Sequence, residues 1–285
     1  MTGIDLHTHT DRSDGTFTPA ELVKLAATRG LSVLGVTDHD TTAGVDEAER
    51  TARERGIEIV PGVELSTSYQ GSSVHVLCYW MDRENQDFQA ELERLRADRF
   101  LRGRRMVEKL QTLGYPISFE RVQDIASGGN IVRPHVAQAL VEAGVVPTIK
   151  EAFSDELIGS GGRAYVEKHA LHPTQAIELV HRAGGACVLA HPGTWREVSP
   201  VPVSAIEELV EAGLDGIEAS HPEHTPDMEA GYVEMAERWG LFWTGASDCH
   251  GTRYDPVRLG SRTTQPEQFE RLRARASELK TRSVR

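Results

Sequence analysis

Histidines and carboxylates recur at the ends of short apolar runs along this chain. Ile4-Asp5-Leu6 leads into His7 and His9, Val33-Leu34-Gly35-Val36 into Asp38-His39, and Ile57-Glu58-Ile59-Val60 into Glu64. Val74-His75-Val76-Leu77 carries its histidine inside the run. Val188-Leu189-Ala190 precedes His191, Gly216-Ile217-Glu218 precedes His221, and Phe242-Trp243-Thr244-Gly245 precedes Asp248 and His250. Residues two apart in a strand point to one side, so His7 and His9 can grip one cation from a strand end. Taken singly, His75 reads equally well as a hydrogen-bonded core histidine and Glu64 as a helix cap. Taken together, so many ionisable groups at strand ends have no ordinary structural explanation, because burying them unpaired is costly. The set is imidazole and carboxylate without thiolate, which suits open catalytic sites for Mn, Fe or Zn better than a closed structural zinc. A carboxylate such as Glu64 can bridge two cations, and cations roughly 3.5–4 Å apart suit in-line displacement at phosphorus.

The elements that must carry these groups follow a strand-then-helix rhythm. Thr18-Pro19 opens a helix through Ala26, and Thr42 to Arg55 is a second, closed by Gly56. Val- and Ile-rich runs alternating with such helices indicate a parallel sheet covered by helices. From about Asp82 to Arg163 the rhythm gives way to polar helical stretches, including Asn85 to Leu113 and Arg133 to Ala143, with breaks at Gly128-Gly129 and Gly159 to Gly162. Residues 1–94 and 166–285 are therefore expected to form an α/β barrel, with 95–165 a mostly helical insertion contributing to a substrate pocket. The Arg-rich end from Arg271 to Arg285 reads as a solvated helix face with a frayed tail.

Composition bounds the partners. The 285 residues fit one barrel with an insertion, and the formal charge of −12 argues against stable duplex nucleic-acid binding or a membrane surface, both of which draw on a basic footprint. Clustered divalent cations would reverse that sign locally, so a small anionic substrate remains compatible. No apolar stretch approaches the roughly 20 residues of a membrane span, and the first strand begins at once, so no leader peptide is expected. Cys78, Cys187 and Cys249 have no paired spacing, which points to reduced thiols and a cytoplasmic protein. Cys249, between two candidate ligands, is either a reactive thiol or a small core residue.

His7-Thr8-His9-Thr10 with Ser13-Asp14, then Thr37-Asp38-His39-Asp40, Pro61-Gly62-Val63-Glu64, His75-Val76-Leu77, Ala190-His191-Pro192 and Ser247-Asp248-Cys249-His250-Gly251 form an ordered set across nearly the whole chain. That set resembles the PHP (polymerase and histidinol phosphatase) metal-dependent phosphoesterases. The resemblance implies a distorted (β/α)7 barrel holding two to three divalent ions at its C-terminal face. His7, His9, Glu64 and Asp248 would hold the first ion, Glu64, His75 and His191 the second, and Asp14, His39 and His250 the third. It further implies hydrolysis by a metal-bridged hydroxide, with Asp14 and His221 counted as catalytic.

Asn130-Ile131-Val132-Arg133-Pro134-His135, Ala164-Tyr165-Val166-Glu167-Lys168 and His221-Pro222-Glu223-His224 resemble one branch of that family. The branch includes phosphatases of 3′,5′-bisphosphate nucleotides and a 5′→3′ exoribonuclease. The implied substrate is a small phosphorylated molecule, either a nucleotide or a short RNA end, contacted by Arg133, His135, Lys168, His221 and His224. Arg133 can hold a phosphate through two parallel hydrogen bonds, and Lys168 supplies a point charge. A helix-start salt bridge is the competing reading for Arg133, and surface placement the competing reading for Lys168 and His224. His221 could contact the reacting phosphate or protonate the leaving oxygen. The Arg96, Arg99, Arg102, Arg105 stripe reads either as a solvated or ion-paired helix face or as a substrate contact. A histidinol-phosphate-type or general phosphatase is the alternative enzyme, and a metal-stabilised structural module the alternative outside catalysis.

Overall fold

Each apolar run becomes a strand, and each amphipathic stretch between runs becomes a helix. The computed structural model describes residues 3–126, 131–167, 170–194 and 200–283. In chain order the first part comprises β1 (Gly3–Asp5), α1 (Pro19–Thr28), β2 (Leu31–Val36), α2 (Val45–Arg53), β3 (Glu58–Tyr69) and β4 (Ser72–Tyr79). Then come α3 (Gln86–Thr112), α4 (Phe119–Ala126), α5 (Arg133–Glu142) and α6 (Ile149–Ala152). The chain returns to the sheet through α7 (Pro173–Arg182), β5 (Ala186–Leu189), α8 (Val203–Glu211), β6 (Gly216–Ser220), α9 (Pro226–Arg238) and β7 (Phe242–Gly245), and ends with α10 (Pro266–Ser283). Local chemistry sets the boundaries. Thr18 and Glu21 form a capping box in front of Pro19, and the Asn85 side chain accepts the Phe88 N–H to start α3. The helix expected from Thr42 begins later, at Val45, because Thr41 to Gly44 is spent on a turn in which Thr41 Oγ1 accepts the Ala43 N–H.

The seven strands lie in sequence order, β1 to β7. Beyond the named strands, Thr8 bridges Cys249 in parallel and the His9 N–H donates to the Cys249 carbonyl at 2.9 Å, so the first and last strands meet and the sheet closes. This is the distorted (β/α)7 barrel. One expectation is corrected: the sheet is not wholly parallel. β4 pairs antiparallel with both β3 and β5. Gln70 and Gly71 both have positive φ, 50° and 82°, the signature of a tight hairpin that turns the chain straight back. The reversal explains why His75 lies inside its run: in a reversed strand the early residues face the end where the other strands finish.

Packing follows the alternation. His75, Leu77 and Tyr79 share the inner face of β4, where Leu77 and Tyr79 join Leu6, Val60, Val188, Phe242 and residues of α10. Val76 and Cys78 face outward against α7 and α3. α10 is amphipathic: Phe269, Leu272, Ala276 and Leu279 are buried, while Arg273 pairs with Glu58 and Arg275 with Asp215. Arg285 and Val284 lie outside the described residues, as do Gly128, Gly129, Asn130 and Lys168. The start of α3 packs on the barrel through Phe88, Leu92 and Leu95. Its later residues Val107 and Leu110 belong to a separate core with α4, α5 and α6. Gly103 permits that second contact, since a Cβ there would fall 2.6 Å from Ile131 Cγ2.

Candidate metal centre

The loops after the parallel strands and the inner face of β4 converge on Glu64, a buried carboxylate in β3. Glu64 Oε2 lies 3.3 Å from His7 Nε2, 3.1 Å from His9 Nε2 and 3.0 Å from His39 Nδ1. Its other oxygen, Oε1, meets His75 Nδ1 at 2.6 Å and His191 Nε2 at 3.0 Å. Asp248 Oδ1 stands 3.3 Å from both His7 Nε2 and His9 Nε2. Asp14 Oδ1 lies 3.3 Å from His250 Nε2 and 3.7 Å from His9 Nδ1. His7, His9, Glu64 and Asp248 thus form one group of donor atoms within 4.8 Å of one another, His39, Glu64 and His75 a second, and His9, Asp14, His39 and His250 a third. His9, His39 and Glu64 each belong to two groups.

Divalent cations fit this donor set. Glu64 Oε2 is buried beside three imidazole nitrogens at 3.0–3.3 Å, yet no hydrogen bond reaches it among the described residues, and a cation would satisfy it. The protonation pattern agrees. Burial alone would suppress charge on His7, but Glu218, Asp248 and Glu64 outweigh it and hold the ring well above the ordinary histidine range. His9 is raised to about 10 against its burial by Asp248 and Glu64. Burial would raise the Glu64 and Asp14 carboxyls, but the surrounding imidazoles hold both well below the usual carboxylate range. Protons on the rings therefore stand where cations would neutralise the carboxylates. Backbone strain concentrates here as well: His191 (φ 26°), Asp248 (φ 47°) and Asp40 (φ 53°) are non-glycine residues with left-handed φ.

A second layer of acids holds these ligands, and sequence reasoning did not assign it. Glu218, in the middle of β6, accepts the His191 N–H at 2.8 Å and lies 3.0 Å from His7 Nδ1, which leaves His7 Nε2 to face the cluster. Asp38 accepts from Thr10 N–H, Thr10 Oγ1 and Ser13 Oγ at 2.6–2.7 Å and ties the loop after β1 to that after β2. The available signal was an acid inside an apolar strand, as at Glu218. Cys249 resolves as a core residue: it is buried among Leu22, Leu34 and Val36, and burial pushes its thiol up to about 11.

The expected substrate contacts divide. His221 is buried at the cluster, 3.4 Å from Asp248 Oδ2, and its Nδ1 accepts the Glu223 N–H at 3.1 Å. That bond leaves the proton on Nε2, and burial lowers the ring's pKa although Asp248 pulls the other way, so the neutral ring presents an N–H at Nε2. His224 is not on the surface. Its Nε2 accepts the Gly193 N–H at 3.0 Å and its Nδ1 donates to the Ala219 carbonyl at 2.7 Å, so both nitrogens fix backbone and neither is left for a substrate. His135 accepts the Val132 N–H on Nδ1 at 3.3 Å, and burial takes it down to about 4 although the Asp14 carboxylate pulls the other way.

The Arg96 to Arg105 stripe is mostly turned inward. Arg96 Nη1 donates to the Asp40 carbonyl, Arg99 pairs with the Asp40 carboxylate, and Arg102 Nε donates to the Val166 carbonyl, while Arg105 is exposed. Arg133 stands over the rings of Phe153 and Tyr165, and Arg102 over Tyr165, at 5.4–6.0 Å from the centroids. Burial first, then the neighbouring guanidiniums, lowers Arg102 and Arg133 to about 10 each. Arg102 Nη2 is buried with no hydrogen-bond partner among the described residues.

The cluster of histidines and acids is in keeping with the chain's kinship. The PHP domain model matches residues 5–126. The chain is 34% identical over 246 residues to a 5′-3′ exoribonuclease of Haemophilus influenzae, covering 86% of this chain and 89% of the relative. It is 33% identical over 251 residues to a 3′,5′-nucleoside bisphosphate phosphatase of Chromobacterium violaceum, covering 88% of each. The chain belongs to the PHP domain family. A solved structure of a candidate metal-dependent phosphoesterase from Bifidobacterium adolescentis superposes with a TM-score of 0.89 at 34% identity over 96% of both chains. The PHP likeness therefore extends past the matched segment and includes the helical region of α3 to α6. No helix among the described residues is long and apolar enough to cross a membrane.

Proposed function

We propose that the protein is a metal-dependent phosphoesterase that hydrolyses phosphate esters of nucleotides. Its substrate carries a second phosphate, as a 3′,5′-bisphosphate nucleotide or a 5′-phosphorylated short RNA. The observation that carries this reading is the pairing of Arg102 and Arg133, half-buried over the one ring of Tyr165 and outside the groups of ligand atoms. Two neighbouring guanidiniums repel one another, and an anion that both can bind relieves that repulsion. A general phosphatase has no need of it.

In this reading two to three Mn, Fe or Zn ions are held by His7, His9, Asp14, His39, Glu64, His75, His191, Asp248 and His250. When bound, they neutralise phosphoryl oxygens and make an ionised water available at neutral pH. Glu218 and Asp38 keep the ligands aimed, and His221 Nε2–H donates to an oxygen of the reacting phosphate. His135 closes the site on the α5 side. Lys168, outside the described residues, joins the arginines in contacting the second phosphate. Residues 95–165 act as the insertion that brings Arg99, Arg102 and Arg133 to the barrel mouth. The enzyme works in the cytoplasm on small substrates rather than duplex nucleic acid, in keeping with its charge of −12.

The test is Arg133→Ala, assayed on adenosine 3′,5′-bisphosphate and on p-nitrophenyl phosphate with saturating Mn²⁺. Loss of a charge-assisted bidentate contact should cost about 2–3 kcal/mol in kcat/KM on the first substrate and little on the second. Equal losses would place Arg133 at the reacting phosphate. No loss on either would return the reading to a general phosphatase.

A further inference from the structure

Asp40 follows the candidate ligand His39 and is fully buried, with a left-handed φ of 53° that aspartate tolerates better than most side chains. Its backbone N–H donates to the Glu64 carbonyl at 3.1 Å, and its Oδ1 accepts the Ser66 N–H at 2.8 Å. These bonds fix the loop after β2 onto β3 at Glu64 and at Ser66 just beyond it, where His39 and Glu64 also form a parallel bridge. Further contacts run to α3. Asp40 Oδ2 takes the Arg99 guanidinium, which also donates to Ser66 Oγ, and the Asp40 carbonyl accepts from Arg96 Nη1 at 3.0 Å. Arg99 lies on the same helix face as Arg102, one turn earlier.

One buried residue therefore ties both the metal-ligand loop and the arginine-bearing helix together, each through its backbone and its carboxylate. We propose that Asp40 is a positioning residue that sets the distance between the metal cluster and the anion pocket, so that two phosphates of one substrate are engaged together. The proposal rests on the bisphosphate reading above. Asp40 also neutralises Arg99, one helical turn before Arg102.

Asp40→Asn preserves size and tolerance of left-handed φ but places an amide donor or a neutral oxygen against Arg99. With Mn²⁺-loaded protein, kcat/KM for adenosine 3′,5′-bisphosphate should fall about tenfold more than kcat/KM for p-nitrophenyl phosphate, chiefly through KM, as expected for a misplaced charge-assisted contact. Metal content by elemental analysis should stay at the wild-type stoichiometry. Arg99→Gln should reproduce the selective loss, and the double variant should be no worse than the poorer single one, because the two side chains act as a unit. Equal loss on both substrates together with lost metal would reduce Asp40 to a support for His39. Losses that multiply in the double variant, or no selective loss in either single variant, would overturn the coupling. The substrate reading itself is judged separately: wild-type protein that fails to prefer the bisphosphate refutes it, whereas the variant cycle is measured relative to wild type on each substrate.

Discussion

Glu64 is the residue on which the cluster depends, since its two oxygens face His7, His9 and His39 on one side and His75 and His191 on the other. Glu64→Gln keeps the shape but removes the charge that can neutralise two cations. We expect kcat to fall at least a hundredfold, about 3 kcal/mol of transition-state stabilisation, with metal content reduced by elemental analysis. Near-normal kcat at full metal occupancy would exclude a bridging role. At this scale much of the site was legible, because histidine and carboxylate at the end of an apolar run are conspicuous wherever they occur. The acids behind them were not. Glu218, Asp38 and Asp40 earn their place only through partners distant in sequence: Glu218 through His7 and His191, Asp38 through Thr10 and Ser13, Asp40 through Ser66 and Arg99. His224, open in sequence between a substrate contact and a surface residue, has both nitrogens hydrogen-bonded to backbone.

Among the elements, α3 packs against both the barrel and the core of α4 to α6. Its sequence announced a long helix from Asn85 to Leu113, and the stripe of arginines was visible, but helical periodicity cannot say whether a stripe faces water or a neighbour. The reversal of β4 was similarly hidden. Alternation marks a strand without giving its direction, and the short link through Gln70-Gly71 is the one local sign of a hairpin rather than a crossover. Gly103 exposes the cost of α3 serving two cores. Alanine there gains up to about 1 kcal/mol of helix propensity, yet its methyl would stand 2.6 Å from Ile131 Cγ2, beside the start of α5. Overpacking of this kind costs about 1–3 kcal/mol, so Gly103→Ala should be net destabilising by urea unfolding, and Ile131→Ala in the same chain should recover part of the loss beyond additivity. Because Arg102 precedes Gly103 and Arg133 follows Ile131, the variant should also weaken turnover of a bisphosphate. A neutral or stabilised Gly103→Ala would mean that α3 and α5 yield without strain.

Over the whole molecule, one end of the barrel is given to chemistry and the other to stability. Away from the ligand cluster, Asp215 at the start of β6 gathers His181 from the end of α7 at 2.8 Å, the Cys187 N–H of β5 at 2.9 Å and Arg275 of α10 at 2.7 Å. This network joins three elements around the base, where no substrate residue is proposed. Burial would lower the His181 pKa, but its hydrogen bonds to Asp215 and Cys187 prevail and raise it from 6.5 to about 10. The sign follows directly: the folded protein holds this proton more tightly than the unfolded chain, so the network's contribution is complete below pH 6.5 and is lost as pH climbs toward about 10. His181→Gln removes the titrating group and retains a donor for Asp215. Wild type should exceed the variant in urea-unfolding stability most at about pH 6, and the gap should shrink by on the order of 1 kcal/mol per pH unit above that window's lower edge. Both proteins should be measured after chelation, so that proton release by the metal ligands is common to the pair and cancels. A gap that stays constant from about pH 6 to 9 would show that His181 stabilises the base as a neutral ring through packing alone.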